Sequence, residues 1–194
     1  MQWTLTLGML GLLLMGSGCS NTRMESSWTN PEIKNLNFKK VVAIAAVDNI
    51  GMRRTAEDEM VRSLEGVSGV ASYRILGDKV PKDSAALRQF LTQQGFDGAV
   101  LLQVQGVDTE YNYAPQPTPT VGLYGYYDTG YYGTGMYVPT RVVRVQTNIF
   151  DVASGKLVWS GTSRTSDPSS IKSLVDSVGD EARKDLQKQG LLPS

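Results

Sequence analysis

Asp108 and Glu110 stand two residues apart near the end of an apolar run. Two carboxylates on one strand face are the minimum equipment for general acid–base hydrolysis. A second candidate is the turn Asp48-Asn49-Ile50-Gly51, which closes another apolar run and is followed by Arg53 and Arg54. In an open α/β sheet the carboxyl end of a strand is where ligands often sit, and two guanidinium groups there can hold an anion. Each candidate has a plainer reading. The acids suit a hydrated strand exit. The arginines suit i,i+4 pairs, Arg53 with Glu57 and Arg54 with Asp58. No Gly-rich phosphate loop accompanies them. The chain contains no histidine, which removes Ser-His-Asp and Cys-His catalysis, imidazole zinc ligands and the usual near-neutral pH switch. No catalytic residue, metal ligand or cofactor is therefore assigned, and the expectation is a protein that is not an enzyme.

All but Tyr73 of the nine tyrosines fall between Tyr111 and Pro139. Glycines and prolines fill much of the rest, so the segment lacks a periodic apolar face and reads as a long hairpin excursion. Tyrosine among glycines makes contact area at low entropic cost, and planar rings stack on sugars or on one another. Tyr124, Tyr126, Tyr127, Tyr131 and Tyr132 are the candidate partner-binding residues, set against the alternative of a solvated low-complexity loop. Asp48, Asn49, Arg53 and Arg54 form the weaker candidate.

The amino terminus carries an address. Met1 to Gly18 holds no charged side chain and includes an apolar run from Leu5 to Met15, ending on Gly16-Ser17-Gly18-Cys19. Such a run followed by small residues is a secretory signal, and it is too short to span a bilayer. Cys19 is the single cysteine. Standing after small residues, it resembles the lipobox cysteine of bacterial lipoproteins. That resemblance implies a lipidated Cys19 as the mature terminus, and Ser20 in place of Asp implies sorting to the outer membrane, facing the periplasm. Residues 19–36 are expected to be a flexible tether, with Trp28 covering an edge of the domain.

Nineteen basic and nineteen acidic residues give a formal net charge of zero, so nothing electrostatic points to nucleic acid. With one cysteine no disulfide can form within the chain. Stability must come from one core in residues 37–192.

The remaining pattern supplies the elements that position the candidates. Val41–Val47 is a strand buried on both faces. Met52, Ala56, Met60 and Leu64 form a helix stripe. Ala71–Leu76 reads as a second strand. Asp83 or Ser84 caps a helix with Leu87, Phe90 and Leu91 inward, and Gly95 ends it. Gly98–Val107 is a third strand. Arg141–Phe150 alternates with Val143, Val145, Thr147 and Ile149 on one side, Gly155 turns the chain, and Leu157–Thr165 returns. Asp167-Pro168 reads as the start of a last helix whose stripe is Ile171, Leu174, Val175, Val178, Ala182 and Leu186. The order β-α-β-α-β-β-β-α predicts an α/β fold with a single mixed sheet covered by helices.

Three stretches carry a family resemblance: Phe38-Lys39-Lys40-Val41-Val42-Ala43-Ile44, Gly95-Phe96-Asp97-Gly98-Ala99-Val100, and Ile149 to Trp159. They resemble a group of uncharacterised bacterial lipoproteins, with sheets similar to the TolB amino-terminal domain and to curli-secretion and penicillin-binding-protein-activator lipoproteins. The resemblance covers most of Phe38 to Leu192. It implies a non-enzymatic module that binds envelope proteins or peptidoglycan while held on the membrane by its lipid. A carboxylate-based cell-wall hydrolase and a self-assembling structural subunit are the alternatives.

Overall fold

The computed structural model describes residues 21–77, 83–115 and 135–193. Cys19 and Tyr124, Tyr126, Tyr127, Tyr131 and Tyr132 lie outside the described residues. One open six-stranded mixed sheet runs in the order β1-β6-β5-β4-β2-β3. Its strands are β1 (Thr22–Thr29), β2 (Lys40–Ala46), β3 (Ser68–Ala71), β4 (Gly98–Pro115), β5 (Gly135–Asp151) and β6 (Leu157–Ser166). Four helices occur among the described residues: α1 (Ile50–Ser63), α2 (Ser72–Leu76), α3 (Ser84–Gln93) and α4 (Ile171–Lys188). The expected α/β class and single mixed sheet are those of the structure.

The topology follows from two crossovers. β2 runs parallel to both β3 and β4. The chain moves outward from β2 to β3, then back past β2 to β4. Crossovers of constant hand must then lay their helices on opposite faces. Accordingly Ala43 and Ala45 of β2 pack with Ala56 and Met60 of α1, while Val42 packs with Leu91 of α3 and Phe96. This explains why Val41–Val47 reads as an unbroken apolar run. α4 lies beside α1, placing Val175 and Val178 in the same cluster. Further along, Leu186 joins Trp159 and Ile149. Val143, Val145, Thr147 and Ile149 are all buried, as the alternation predicts.

Three expectations need correction. Thr22–Thr29, expected within the tether, is the edge strand β1 and pairs antiparallel with β6. It is polar apart from Met24 and Trp28, because an edge strand with one open face needs no apolar run. Thr22 is buried, and Trp28 is half exposed on this strand. Second, Ala71–Leu76 is no strand: β3 ends at Ala71 and the chain turns directly into α2. Third, Asp167 does not cap α4. Ser170 does so, its hydroxyl accepting from Ser173 N at 3.1 Å. Asp167 adopts a positive φ of 47° and clamps the Arg141 backbone, donating its N–H to Arg141 O at 2.7 Å and accepting at Oδ1 from Arg141 N at 2.7 Å. Asp83 caps α3 as the sequence allows, accepting from Ala85 N, and Asn49, read as a turn residue, caps α1 by accepting from Met52 N. Gly95 (φ 77°) and Gly155 (φ 70°) occupy the left-handed turns expected of them.

Candidate functional site

Asp108 and Glu110 share one sheet face, as their spacing requires. Their surroundings explain what they do. Arg144 of β5 and Arg164 of β6 stand directly opposite each other, an arrangement that is unfavourable for like charges. Carboxylates from the flanking strands relieve it. From β4, Glu110 accepts from both Arg144 and Arg164, and Asp108 accepts from Arg144. From β1, Glu25 lies 3.3 Å from Arg144 Nε and 4.0 Å from Arg164 Nε. Glu25 sits on a β-bulge between Met24 and Ser26, and β4 has a matching bulge between Val104 and Gly106. Bulges re-aim side chains, and these two flank the arginine pair. The result is a charged strap across four strands.

Hydrogen bonding to the Arg164 guanidinium holds the Glu110 carboxyl below its ordinary range. A general acid needs the opposite shift. The two acids are thus brought together as the spacing suggests, but each is committed to an arginine on an open sheet face.

The Asp48–Arg54 turn resolves differently. Asn49 caps α1, and Asp48 is exposed. Arg53 is buried and does meet Glu57, Nε to Oε1 at 2.9 Å. This is an interior pair rather than a surface one. Glu57 is fully buried and also accepts from Ala45 N (3.1 Å), Ser72 Oγ (2.7 Å) and Tyr73 N (2.9 Å). It thereby ties the end of β2 to the start of α2. Arg54 lies over the Tyr73 ring at 5.4 Å. Asp58 receives Arg74 at 2.8 Å and the Tyr73 hydroxyl at 3.0 Å. The spacing signalled the Arg53–Glu57 pair. Its burial was invisible because α2 was read as a strand.

The feature with exposed chemistry is the far end of β4 and β5. β2 stops pairing at Gln103 and β6 stops at Val142, whereas β4 and β5 pair on to Pro115 and Gly135. The expected excursion therefore begins later than Tyr111: both of its arms are strand. Thr109–Pro115 and Gly135–Thr140 form a two-stranded ribbon beyond the ends of β2 and β6. By register Val107, Tyr111, Tyr113 and Tyr137 share the sheet face that α1 and α4 cover lower down. On the ribbon they are exposed, Tyr111 by 68% and Tyr137 by 69%. Tyr113 and Tyr137 meet edge to face at 5.6 Å. Met136 and Val138, on the opposite face, are exposed too.

Elsewhere a shallow hollow of about 260 Å³ is lined by Leu36, Phe38, Asp97, Asp151 and Val158. Its acids are already engaged: Asp97 accepts from the Lys39 and Lys40 amides, and Asp151 from Ser154. Among the described residues no group of three or more potential ligands is placed to hold a metal ion. No described helix is long and apolar enough to cross a membrane.

The fold and site define an α/β module of one mixed sheet with an arginine–carboxylate strap and a projecting aromatic ribbon. No family model and no curated protein matches the chain. Solved structures that the chain matches include a variant of the PelC dodecamer from Paraburkholderia phytofirmans, at 17% identity and TM-score 0.43 over 84% of this chain and 94% of that one. Lipoprotein GNA1162 from Neisseria meningitidis matches at 12% identity and TM-score 0.39, over 77% of this chain and 99% of that one. The hypothetical protein CT253 from Chlamydia trachomatis matches at 13% identity and TM-score 0.34, over 79% and 97%. Likenesses of this size assign no family.

Proposed function

We propose that this protein is a lipid-anchored, non-enzymatic module of the cell envelope that makes its contacts through the β4–β5 ribbon. The observation that carries the reading is the ribbon itself: exposed Tyr111, Tyr113, Met136, Tyr137 and Val138 on two strands that pair on beyond the ends of β2 and β6. An isolated two-stranded ribbon is marginal in water, and its length is not explained by the core. Exposed apolar patches of this kind mark interaction sites. The outer-membrane, periplasm-facing location belongs to this proposal and rests on the Cys19 motif. The hydrolase alternative loses support from Glu110, whose carboxyl the Arg164 hydrogen bond lowers where a general acid needs it raised.

The test is in-cell photo-crosslinking from Tyr113 and Tyr137, with Lys156 in the β5–β6 turn at the opposite end of the sheet as the comparison. Adducts with envelope molecules are expected from the ribbon positions and not from Lys156. Adducts of the chain with itself would assign the ribbon to self-assembly. Adducts from Lys156 alone, or from neither end, would overturn the reading.

A further inference from the structure

The sheet places the aromatic ribbon and the anchoring end of the chain on the same side of the molecule. Thr22 stands level with Thr165, which is level with Val143 and, across β4, with Val107. β1 and β5 run parallel, since each is antiparallel to β6. The chain therefore leaves β1 backward toward Cys19 at the end from which the ribbon projects. The β1–β6 ladder continues to Asn21, whose carbonyl accepts from Ser166 N at 3.1 Å. Only Ser20 then separates it from Cys19. Two residues reach at most about 7 Å. From Val142 to Gly135 the ribbon advances roughly 23 Å at about 3.3 Å per residue. An acyl chain on Cys19 brings the bilayer surface within about 7 Å of Asn21 by that same reach, and the ribbon extends further in that direction than the anchor does.

We infer that the ribbon is a second membrane contact: Tyr111, Tyr113, Tyr137, Met136 and Val138 lie in the lipid headgroup layer beside the anchor. This rests on the lipid-anchored reading and names the contact made by its ribbon. The chemistry fits. Tyrosine concentrates at membrane–water interfaces, where its ring is apolar and its hydroxyl stays wet. Tyr111-Asn112-Tyr113-Ala114-Pro115 and Gly135-Met136-Tyr137-Val138-Pro139-Thr140 carry no charge, and charged side chains resume at Glu110 and Arg141. The exposed tyrosine hydroxyls hold the ribbon in the headgroup layer, where they stay hydrated. That layer is roughly 5–8 Å deep on each side, so the ribbon lies along the surface and the sheet tilts over it. An anchored chain with a second contact is held more firmly than by one acyl chain.

The test places a nitroxide on the full chain in phosphatidylethanolamine–phosphatidylglycerol vesicles. Cys19 is the only natural cysteine, so once it is acylated a cysteine at Tyr113→Cys, Tyr137→Cys or Lys156→Cys is the sole labelling site. Fatty-acid incorporation at Cys19 is measured on the same preparation and reports the anchor separately. With Cys19 acylated, labels at 113 and 137 are expected to be shielded several-fold from a water-soluble nickel relaxant relative to the label at 156. This shielding should disappear in lipid-free detergent. Equal accessibility at all three positions would overturn the ribbon contact and leave the anchor standing. If Cys19 takes up no fatty acid, the anchored reading fails, and Cys19→Ala protein decides the ribbon. Co-sedimentation with the vesicles that is lost in the Tyr111→Ser/Tyr113→Ser/Tyr137→Ser variant, at unchanged melting temperature, upholds it. No co-sedimentation overturns it.

Discussion

The Trp159 indole lies over Gly161, two residues along β6. A Cβ placed on Gly161 would come 2.3 Å from Trp159 Cη2 and 3.1 Å from Met24 Sδ. The indole cannot step aside. It is fully buried, packs in a cluster with Ile149 and Leu186, and donates from Nε1 to Asp185 Oδ2 at 3.1 Å. Gly161→Ala should cost about 1–3 kcal/mol, the usual range for overpacking a filled core. Equilibrium urea unfolding measures it. An unchanged midpoint would mean that the indole has room the packing denies it.

Glu57 and Arg53 predict a contrast between a buried and an exposed ion pair. Glu57→Ala leaves Arg53 charged in the interior and strips the Ala45 amide, the Ser72 hydroxyl and the Tyr73 amide of their acceptor. Removing one partner of a buried pair costs about 3–5 kcal/mol. Asp58→Ala, which breaks the more exposed Arg74 pair, should cost no more than about 1 kcal/mol. The two melting curves should be well separated, and near-identical curves would show that the interior network contributes nothing special.

Much of this framework was readable in the chain because period and punctuation agree there. Val143, Val145, Thr147 and Ile149 alternate and are all buried, and the α4 stripe through Val175, Val178, Ala182 and Leu186 is buried as well. The failures share one cause: tertiary pairing overrode composition. β1 has no apolar run, yet its ladder to β6 makes it part of the sheet. Ser72-Tyr73-Arg74-Ile75-Leu76 looks like a strand but is helical, with Glu57 meeting the Ser72 hydroxyl and the Tyr73 amide at its start. Asp108 and Glu110 were legible as a same-face pair. Their role was not, because Arg144 and Arg164 come from strands roughly thirty to fifty residues later, and no local spacing links groups so far apart.

Two carboxylates should give the stability curve opposite slopes. Burial, reinforced by Asp176, raises Glu59 above its ordinary value near 4.5. The folded state then binds its proton more tightly than the unfolded chain. Stability from this group is greatest below the unfolded value and falls as pH rises through the raised one. Glu110 is lowered, chiefly by Arg164. Its contribution is present above the unfolded value and disappears as pH falls through the lowered one. Glu59→Gln should therefore raise the melting temperature at pH 7 and leave it nearly unchanged at about pH 4, below the unfolded value. Glu110→Gln should lower it at pH 7, with the difference shrinking in acid. Calorimetry across pH checks both signs, and a Glu59→Gln variant that is less stable at pH 7 would show that Glu59 is needed as an anion.

The last prediction separates an edge strand from a tether. Thr22 is buried, with Oγ1 2.8 Å from Thr165 Oγ1 and 2.7 Å from Ser177 Oγ. Thr22→Ala takes that partner from buried Thr165 and should cost about 1–3 kcal/mol. Deleting the chain through Asn30 goes further. It removes Met24 from the Trp159 cluster, removes Glu25 from the Arg144–Arg164 pair, and exposes the whole edge of β6. The truncated protein should melt well below the full chain and self-associate through that edge. Differential scanning calorimetry and light scattering read the two effects. A tether would shift the melting temperature by less than about 2 °C, since even 1 kcal/mol moves a domain of this size by roughly 2–4 °C. A shift that small, with no association, would return Thr22–Thr29 to the status of a linker.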